Sequence, residues 1–228
     1  MIQHSLFPTL VGEWRNDNHC DIKNLFLSNA LSHFTNGYSM ETTGDVDLHL
    51  DDNFSSIFSF AAKCAIEYLT ALRLDAKLHD VILVKSWLNA IKEFNTPLHN
   101  HADAHLSFVY YVHTPEEYTK KIVFQKPEPP NELYHGMMSS GITEWNIMNS
   151  QTWWMEAKEG TLYMFPGKLH HMTNGYGNGQ PDSRVETVED LKDRRISIAG
   201  DFILTYRNKS ARAYGIQPMS NWKIYRGE

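Results

Sequence analysis

The hydrophobic pattern divides the chain into a helical first third and a β-rich remainder. Apolar residues recur at helical spacing between Ile22 and Phe34, and this stretch is closed by the Asn-Gly pair at 36–37. A second and longer apolar stripe at the same spacing runs from Phe54 to Leu72. We predict two helices here, and we expect both to pack against the outside of a sheet.

The period changes after residue 80. Runs rich in β-branched and aromatic residues, separated by turns, predict strands at 81–91, 106–113, 121–124, 161–165 and 196–206. Two polar stretches, 125–151 and 175–194, have no clear period and are predicted to be lids or binding loops. Helices followed by strands predict a mainly β chain with flanking helices (α+β) and a β-sandwich or barrel core. We expect a single domain over 1–228, with a helical flank at 1–80 and a barrel core at 81–206.

Composition and charge narrow the class of partner. The 228 residues include 21 Lys and Arg against 27 Asp and Glu, which gives a net charge of −6. Binding to nucleic acid or to an anionic membrane without sequence preference requires an excess of cations, so we expect neither. The chain has no apolar run long enough to span a bilayer, and its two cysteines fit no zinc spacing. The N-terminal segment MIQHSLFPTL has no charged region followed by an apolar core, so we expect no secretory leader. A cytoplasmic location is therefore expected.

Candidate chemistry is concentrated in the segment 97–112, which reads PLHNHADAHLSFVYYV. Its polar groups His99, His101, Asp103 and His105 all have the same parity. If the backbone is extended there, side chains two residues apart lie on one face of a strand. Several metal-binding groups on one face, directly before a strand, predict a metal site at the mouth of a barrel.

One metal ion can accept only neighbouring members of this row. Residues four apart on a strand lie too far from each other, so His99 and Asp103 cannot both bind unless the chain turns between them. Asp103 must then pair with His101 or His105, and we expect the other histidines of the segment to be dispensable for metal binding. Together with the downstream His171, two imidazoles and one carboxylate with open positions form the site of non-haem Fe(II) oxygenases.

Arg195 begins the last predicted strand and supplies a group that can bind a co-substrate. Its guanidinium is a planar fork that matches a carboxylate. Ser197 and Ala199 share its parity, so this face of the strand carries small side chains that leave space for a ligand. The alternative is a surface arginine beside Arg194.

The order of these motifs resembles a known family. His-x-Asp, a strand with Tyr-Tyr, Gly-x-Leu-x-x-Phe-Pro-x-x-x-x-His and Arg-x-Ser occur in sequence over most of the chain from Leu6 to Phe202. This order is similar to that of the 2-oxoglutarate- and Fe(II)-dependent dioxygenases, in particular those related to prolyl hydroxylases. The resemblance implies a double-stranded β-helix (a jelly-roll barrel) with flanking helices. It also implies hydroxylation of a C–H bond with Fe(II), 2-oxoglutarate and dioxygen, giving succinate and CO₂.

Carried over to this sequence, the resemblance implies a set of site residues. The implied metal ligands are His101, Asp103 and His171, and the implied co-substrate contacts are Arg195 and Tyr111, with Ser197 on the Arg195 face. His171 is chosen over His170 because the family places the ligand five residues after the proline. The interval from His171 to Arg195 is longer than the resemblance implies, which indicates an inserted loop.

Two other classes of function stay open at this point, and so does the substrate. A cupin-type jelly roll that binds metal without 2-oxoglutarate oxygenase activity is the main alternative, and a non-catalytic interaction module is another. The substrate is not indicated: peptidyl proline, another amino-acid side chain and a free small molecule all fit. Aromatic residues of the two loops are candidates to enclose it: Tyr134, Trp145, Trp153, Trp154 and Tyr176.

Overall fold

The computed structural model describes residues 8–35, 47–117, 120–126, 141–173, 182–208 and 215–226. Its eight strands form two antiparallel sheets. The strands are β1 (Gly12–Arg15), β2 (His79–Ile91), β3 (Leu106–His113), β4 (Lys121–Gln125), β5 (Thr152–Glu156), β6 (Thr161–Pro166), β7 (His170–Thr173) and β8 (Arg195–Tyr206). The larger sheet has the order β1-β6-β3-β8-β2, and the smaller one has the order β5-β4-β7.

The two sheets are joined by a small apolar core between them. Tyr111 and Phe165 of the larger sheet and Ile122 and Phe124 of the smaller sheet are buried in one cluster. Alternate residues of each strand point into this cluster and away from it, as the pleat requires. The arrangement is the predicted double-stranded β-helix.

Helices cover the other face of the larger sheet. They are α1 (His19–Asn29), α2 (Leu31–Thr35) and α3 (Ser55–Ala71), accompanied by short 3₁₀ helices at Leu48–Leu50, Asp52–Phe54, Ala76–Leu78 and Met219–Asn221. Phe26 of α1 and Tyr68 of α3 share a core with Phe108, Tyr110 and Ile198 of the sheet. The two predicted helices therefore exist and pack where we expect them. In the described part of the chain, no helix has the length and apolar character needed to cross a membrane.

After residue 80, three strands or α-helices were not expected from the hydrophobic pattern. β5 and β7 are short and rich in Trp or His, so they lack the aliphatic alternation that predicts a strand. The helix α4 (Val188–Lys192) lies inside the predicted loop 175–194. A capping box begins it, in which Thr187 accepts from the backbone of Asp190 and the Asp190 carboxylate accepts in return.

The carboxylate of Glu159 ties helix α1 to the barrel. It accepts hydrogen bonds from Lys23 Nζ at 2.8 Å, His19 Nε2 at 3.2 Å, His113 Nδ1 at 2.9 Å and the Thr114 backbone at 3.1 Å. Burial raises the pKa of this carboxyl, but the four donors outweigh burial and lower the pKa from its ordinary value of 4.5 to about 2. The ionised form therefore stabilises the folded state.

Replacing Glu159 by Gln is expected to lower the free energy of unfolding by about 1–3 kcal/mol at neutral pH, because hydrogen bonds to a charged acceptor are lost. Since the folded pKa is depressed, this contribution is full above 4.5 and is lost as pH falls through about 2. Urea unfolding of both proteins at several pH values measures the difference. A gap between wild type and Glu159→Gln that is as large in acid as at pH 7 would contradict the role of the charge.

Candidate metal centre

The segment before β3 reaches the smaller sheet and pairs with β7. His99 and His171 form an antiparallel bridge, in which the His99 N–H donates to His171 at 3.0 Å and the His171 N–H donates to His99 at 2.9 Å. The Thr173 N–H continues the pairing by donating to Thr96 at 3.1 Å. Side chains opposite each other in such a pair lie on the same face, and the two imidazole rings are 4.3 Å apart between centroids.

His101 joins these two rings from the same segment. Its N–H donates to the Gly167 carbonyl at 2.7 Å. Its ring centroid is 5.2 Å from that of His99 and 5.1 Å from that of His171. One nitrogen from each of the three rings lies within 4.8 Å of the others. Metal–nitrogen bonds are about 2 Å long, so two nitrogens on one ion lie at most about 4 Å apart. The three rings are therefore grouped as ligands of one ion, and binding would draw their nitrogens closer by about 1 Å.

Hydrogen bonds determine which nitrogen each ring offers. Nδ1 of His99 is 2.8 Å from the Pro97 carbonyl, and Nδ1 of His171 is 2.9 Å from the Leu169 carbonyl. Because a carbonyl oxygen only accepts, both Nδ1 atoms carry the proton. Nδ1 of His101 likewise faces a carboxylate, at 2.5 Å. Nε2 is therefore the free nitrogen of all three rings, which is the arrangement found in histidines that bind metals.

Burial favours the neutral form of two of the imidazoles, those of His171 and His99. Burial, with a further contribution from the neighbouring His99 and His101, lowers the pKa of His171 to about 3. Burial also lowers the pKa of His99. Neutral imidazole is the form that binds a metal, so the residues present fit a divalent transition metal such as Fe(II).

The structure does not bring Asp103 to this cluster. The chain turns directly after His101, where the Ala104 N–H donates to the His101 carbonyl at 3.1 Å. The Asp103 side chain is 88% exposed, and it approaches the Lys85 ammonium at 3.9 Å. The parity argument needs an extended backbone through position 105, and this turn ends the extended segment at position 101.

The other histidines of the two segments lie outside the cluster. Nδ1 of His105 accepts a hydrogen bond from the Leu204 backbone at 2.9 Å. Nε2 of His170 lies 3.1 Å from the Asn100 amide nitrogen. Of the sequence-predicted ligands, His101 and His171 are therefore together, and His99 completes the group.

Three rows of side chains cross the larger sheet beneath the histidines. Each row has one residue from β2, one from β8 and one from β3, in direct cross-strand register. The rows are Asn89–Ser197–Tyr111, Trp87–Ala199–Val109 and Lys85–Asp201–Ser107. The small Ala199 at the centre leaves room between the two outer rows, as its parity with Arg195 and Ser197 predicted.

A cavity adjoins the three histidines on this face of the sheet. Arg195, Ser197 and Tyr111 line it together with His99, His101 and His171. The Arg195 side chain is buried, and its guanidinium carbon lies 5.5 Å from the centroid of the Tyr111 ring. The Ser197 hydroxyl is buried and has no hydrogen-bond partner within the described residues, which fits a polar ligand that would complete it.

Arg194 has a different environment from its neighbour. Its Nη2 donates to the Ser183 hydroxyl at 2.8 Å, and its Nη1 lies 3.5 Å from the Ala90 carbonyl. Arg194 therefore fastens the segment before β8 to β2. Of the two arginines, Arg195 lines the cavity.

The aromatic residues expected around the substrate are placed differently. Trp145 and Trp154 are 56% and 43% exposed, and neither they nor Trp153 lines the described cavity. Tyr134 and Tyr176 lie outside the described residues. The indole at the cavity is that of Trp87, whose ring centroid is 5.5 Å from that of His101.

Sequence reasoning missed three residues of the site, although signals were available for two. His99 stands two residues before His101, a spacing that brings it to the cluster. Asp201 continues the parity of Arg195, Ser197 and Ala199 by one more step. Trp87 lies in a predicted strand whose two faces cannot be distinguished by hydrophobicity, because both carry apolar residues.

Gly167 allows the His101 turn to approach β6. A Cβ atom at this position would lie 2.5 Å from the Ala104 carbonyl oxygen and 2.8 Å from that of His101. Gly167→Ala is expected to displace the turn, to cost about 1–3 kcal/mol of stability and to weaken Co(II) binding. Thermal unfolding and metal titration measure the two effects. Gly141→Ala is the matched control, since a Cβ there meets no atom of the described residues within 4 Å. Equal behaviour of the two variants would contradict the prediction.

Comparison with known proteins identifies a family for the segment that carries the site. Residues 85–187 match the family described as "Putative 2OG-Fe(II) oxygenase". This range contains all three histidines and ends before Arg195. None of the curated proteins matches the chain in sequence.

Solved structures share the fold at low sequence identity. AviO1 from Streptomyces viridochromogenes Tue57 is 8% identical with a TM-score of 0.53, over 85% of this chain and 89% of that one. EctD from S. alaskensis, determined with 2-oxoglutarate and 5-hydroxyectoine, is 12% identical with a TM-score of 0.51, over 85% and 72%. The non-haem α-ketoglutarate-dependent epimerase SnoN from nogalamycin biosynthesis is 13% identical with a TM-score of 0.50, over 87% and 81%. The family match over residues 85–187 and the shared fold agree with the resemblance predicted from the motifs.

Proposed function

We propose that this protein is a 2-oxoglutarate- and Fe(II)-dependent dioxygenase, which hydroxylates a C–H bond of a small-molecule or peptide substrate, such as a peptidyl or free amino acid, with succinate and CO₂ as co-products. Fe(II) would be held by Nε2 of His99, His101 and His171. The observation that carries this proposal is that all three rings have their Nδ1 atoms engaged, while one nitrogen of each ring lies within 4.8 Å of those of the other two. Bound there, the metal supplies the activation of dioxygen that the family's chemistry requires.

The co-substrate would lie between the metal and Arg195. 2-Oxoglutarate has a carboxylate at each end, and the Arg195 fork matches the far one. The unpartnered Ser197 hydroxyl can donate to the same group, and the buried Tyr111 ring excludes water from it.

The sequence prediction with Asp103 as a ligand is kept as the alternative assignment. It requires the turn after His101 to rearrange when metal binds. The exposed position of Asp103 favours the three-histidine site. A cupin-type protein that binds metal without 2-oxoglutarate is not favoured. Such a protein would not need the buried Arg195 and the unpartnered Ser197 hydroxyl that line the cavity beside the histidines.

We further propose that the helical flank (1–80) and the barrel (81–206) form one catalytic domain. Helices α1 and α3 share their buried side chains with β3, β6 and β8 and have no separate core of their own in the described residues. Removing the helices would expose the outer face of the sheet that carries the site.

The reaction is tested by measuring succinate formation from 2-oxoglutarate. Turnover is expected only when Fe(II) and dioxygen are both present, and stimulation by a cell extract would indicate a substrate. Mass spectrometry of that extract should then find a species that has gained one oxygen atom. Succinate formation that does not depend on Fe(II) would contradict the proposal, and metal binding without any use of 2-oxoglutarate would favour the cupin alternative.

A further inference from the structure

Asp201 is a buried carboxylate on the face of β8 that carries the site. Its side chain is 2% exposed. Lys85 of β2 and Ser107 of β3 flank it in direct cross-strand register, on either side of the central strand. A carboxylate in the middle of a sheet is costly to bury unless donors surround it.

The donors around Asp201 connect it to the metal centre. Its Oδ1 accepts from Nδ1 of His101 at 2.5 Å and from the Ser107 hydroxyl at 2.7 Å. Its Oδ2 lies 3.9 Å from the Lys85 ammonium. The shortest of these contacts is the hydrogen bond from His101. The neighbouring strands β2 and β3 hold the Asp201 carboxylate in the position that this bond requires.

The three histidines consequently differ in the group that accepts the hydrogen bond from Nδ1. His99 and His171 donate to backbone carbonyls, which carry only partial charge. His101 donates to a full carboxylate. A negative charge on the far side of an imidazole fixes the orientation of the ring and raises the basicity of its other nitrogen.

We propose that Asp201 is a positioning residue that supplies, through His101, the negative charge that the three neutral imidazoles lack. In a site of two imidazoles and a carboxylate, the carboxylate ligand offsets part of the charge of Fe(II). Here the Asp201 carboxylate would not contact the metal itself. It is hydrogen-bonded to the ligand His101, through which its negative charge would act on the metal. The inference rests on the proposed three-histidine site.

Asp201→Asn tests the charge while keeping the size of the side chain and an oxygen that accepts from His101. Binding is measured with Co(II) alone, by titration of the visible absorption of the metal. The variant is expected to bind Co(II) about 10–100-fold more weakly than wild type. Asp80→Asn, an exposed carboxylate of β2 that pairs with Arg207, is the matched control and should bind as wild type does.

A second measurement separates positioning from a general structural role. In the Co(II) protein, the Nδ1 protons of the three bound histidines give shifted NMR signals that exchange with water. Asp201→Asn is expected to move the His101 signal and to leave those of His99 and His171 in place. Ser107→Ala keeps the charge and removes a competing donor to the same oxygen. Ser107→Ala should therefore shift only the His101 signal. This variant provides the test if Asp201→Asn does not fold.

The outcomes distinguish this inference from the site on which it rests. Wild-type affinity and an unmoved His101 signal in Asp201→Asn would overturn the role of Asp201 alone. Complete loss of Co(II), equal to that in His101→Ala, would make Asp201 a ligand and would also overturn the positioning role. Loss of Co(II) in Asp103→Asn would instead overturn the three-histidine site.

Discussion

His99→Ala, His101→Ala and His171→Ala are each expected to lose Fe(II) binding and to reduce succinate formation to background. Loss of a residue that is hydrogen-bonded to a metal ligand already weakens metal binding by about 10–100-fold. Loss of the ligand itself is expected to weaken it further. The apo-proteins should remain folded, because the two apolar cores lie outside the three-histidine cluster. Metal titration followed by thermal unfolding of each apo-protein measures both effects.

Asp103→Ala is the informative comparison for this series. The three-histidine site predicts that it keeps Fe(II), since its side chain faces solvent beside Lys85. The sequence motif alone predicts the opposite: His99→Ala would keep Fe(II) binding and Asp103→Ala would lose it. Retained binding in His99→Ala together with lost binding in Asp103→Ala would therefore reject the site proposed from the structure.

Arg195→Ala is expected to weaken 2-oxoglutarate binding by about 30-fold to several thousand-fold. Removing one partner of a buried, hydrogen-bonded charge pair costs roughly 2–5 kcal/mol, and each 1.4 kcal/mol is about tenfold in affinity. Arg195→Lys should restore only part, because an ammonium cannot reproduce the planar fork. The concentration of 2-oxoglutarate needed for half-maximal succinate formation measures the change.

Arg194→Ala provides the control for this prediction. Its guanidinium contacts Ser183 and Ala90, so its loss should lower stability and leave the 2-oxoglutarate requirement near that of wild type. A larger 2-oxoglutarate defect in Arg194→Ala than in Arg195→Ala would assign the co-substrate role to Arg194.

The sequence predicts most of the fold because most of its elements have strong local periods. The helix α3 and the strands β2, β3 and β8 lie within a few residues of their predicted bounds. β7 was not predicted, because a four-residue strand of His-His-Met-Thr has no apolar alternation. Its pairing with His99 depends on contacts across more than seventy residues, which no local pattern contains.

The site could be predicted in part for a related reason. Parity along β8 correctly indicates that Arg195, Ser197 and Ala199 share a face, because the strand is regular. Parity along residues 99–105 does not correctly indicate which side chains share a face, because the backbone turns after His101. The turn contains no glycine or proline of its own. It is held by Gly167 on the other segment, so the segment 99–105 alone gives little sign of it.

The regularity of β8 also restricts how this chain can change in length. One side of the strand presents Arg195, Ser197 and Asp201 to the site, while Ile196 and Ile198 on the other side belong to the helical core. A one-residue insertion or deletion reverses the faces of all positions beyond it. Such a change would place charge in the core and isoleucine in the site at once. Loops can vary in length, but in β8 tolerated variation is confined to substitutions.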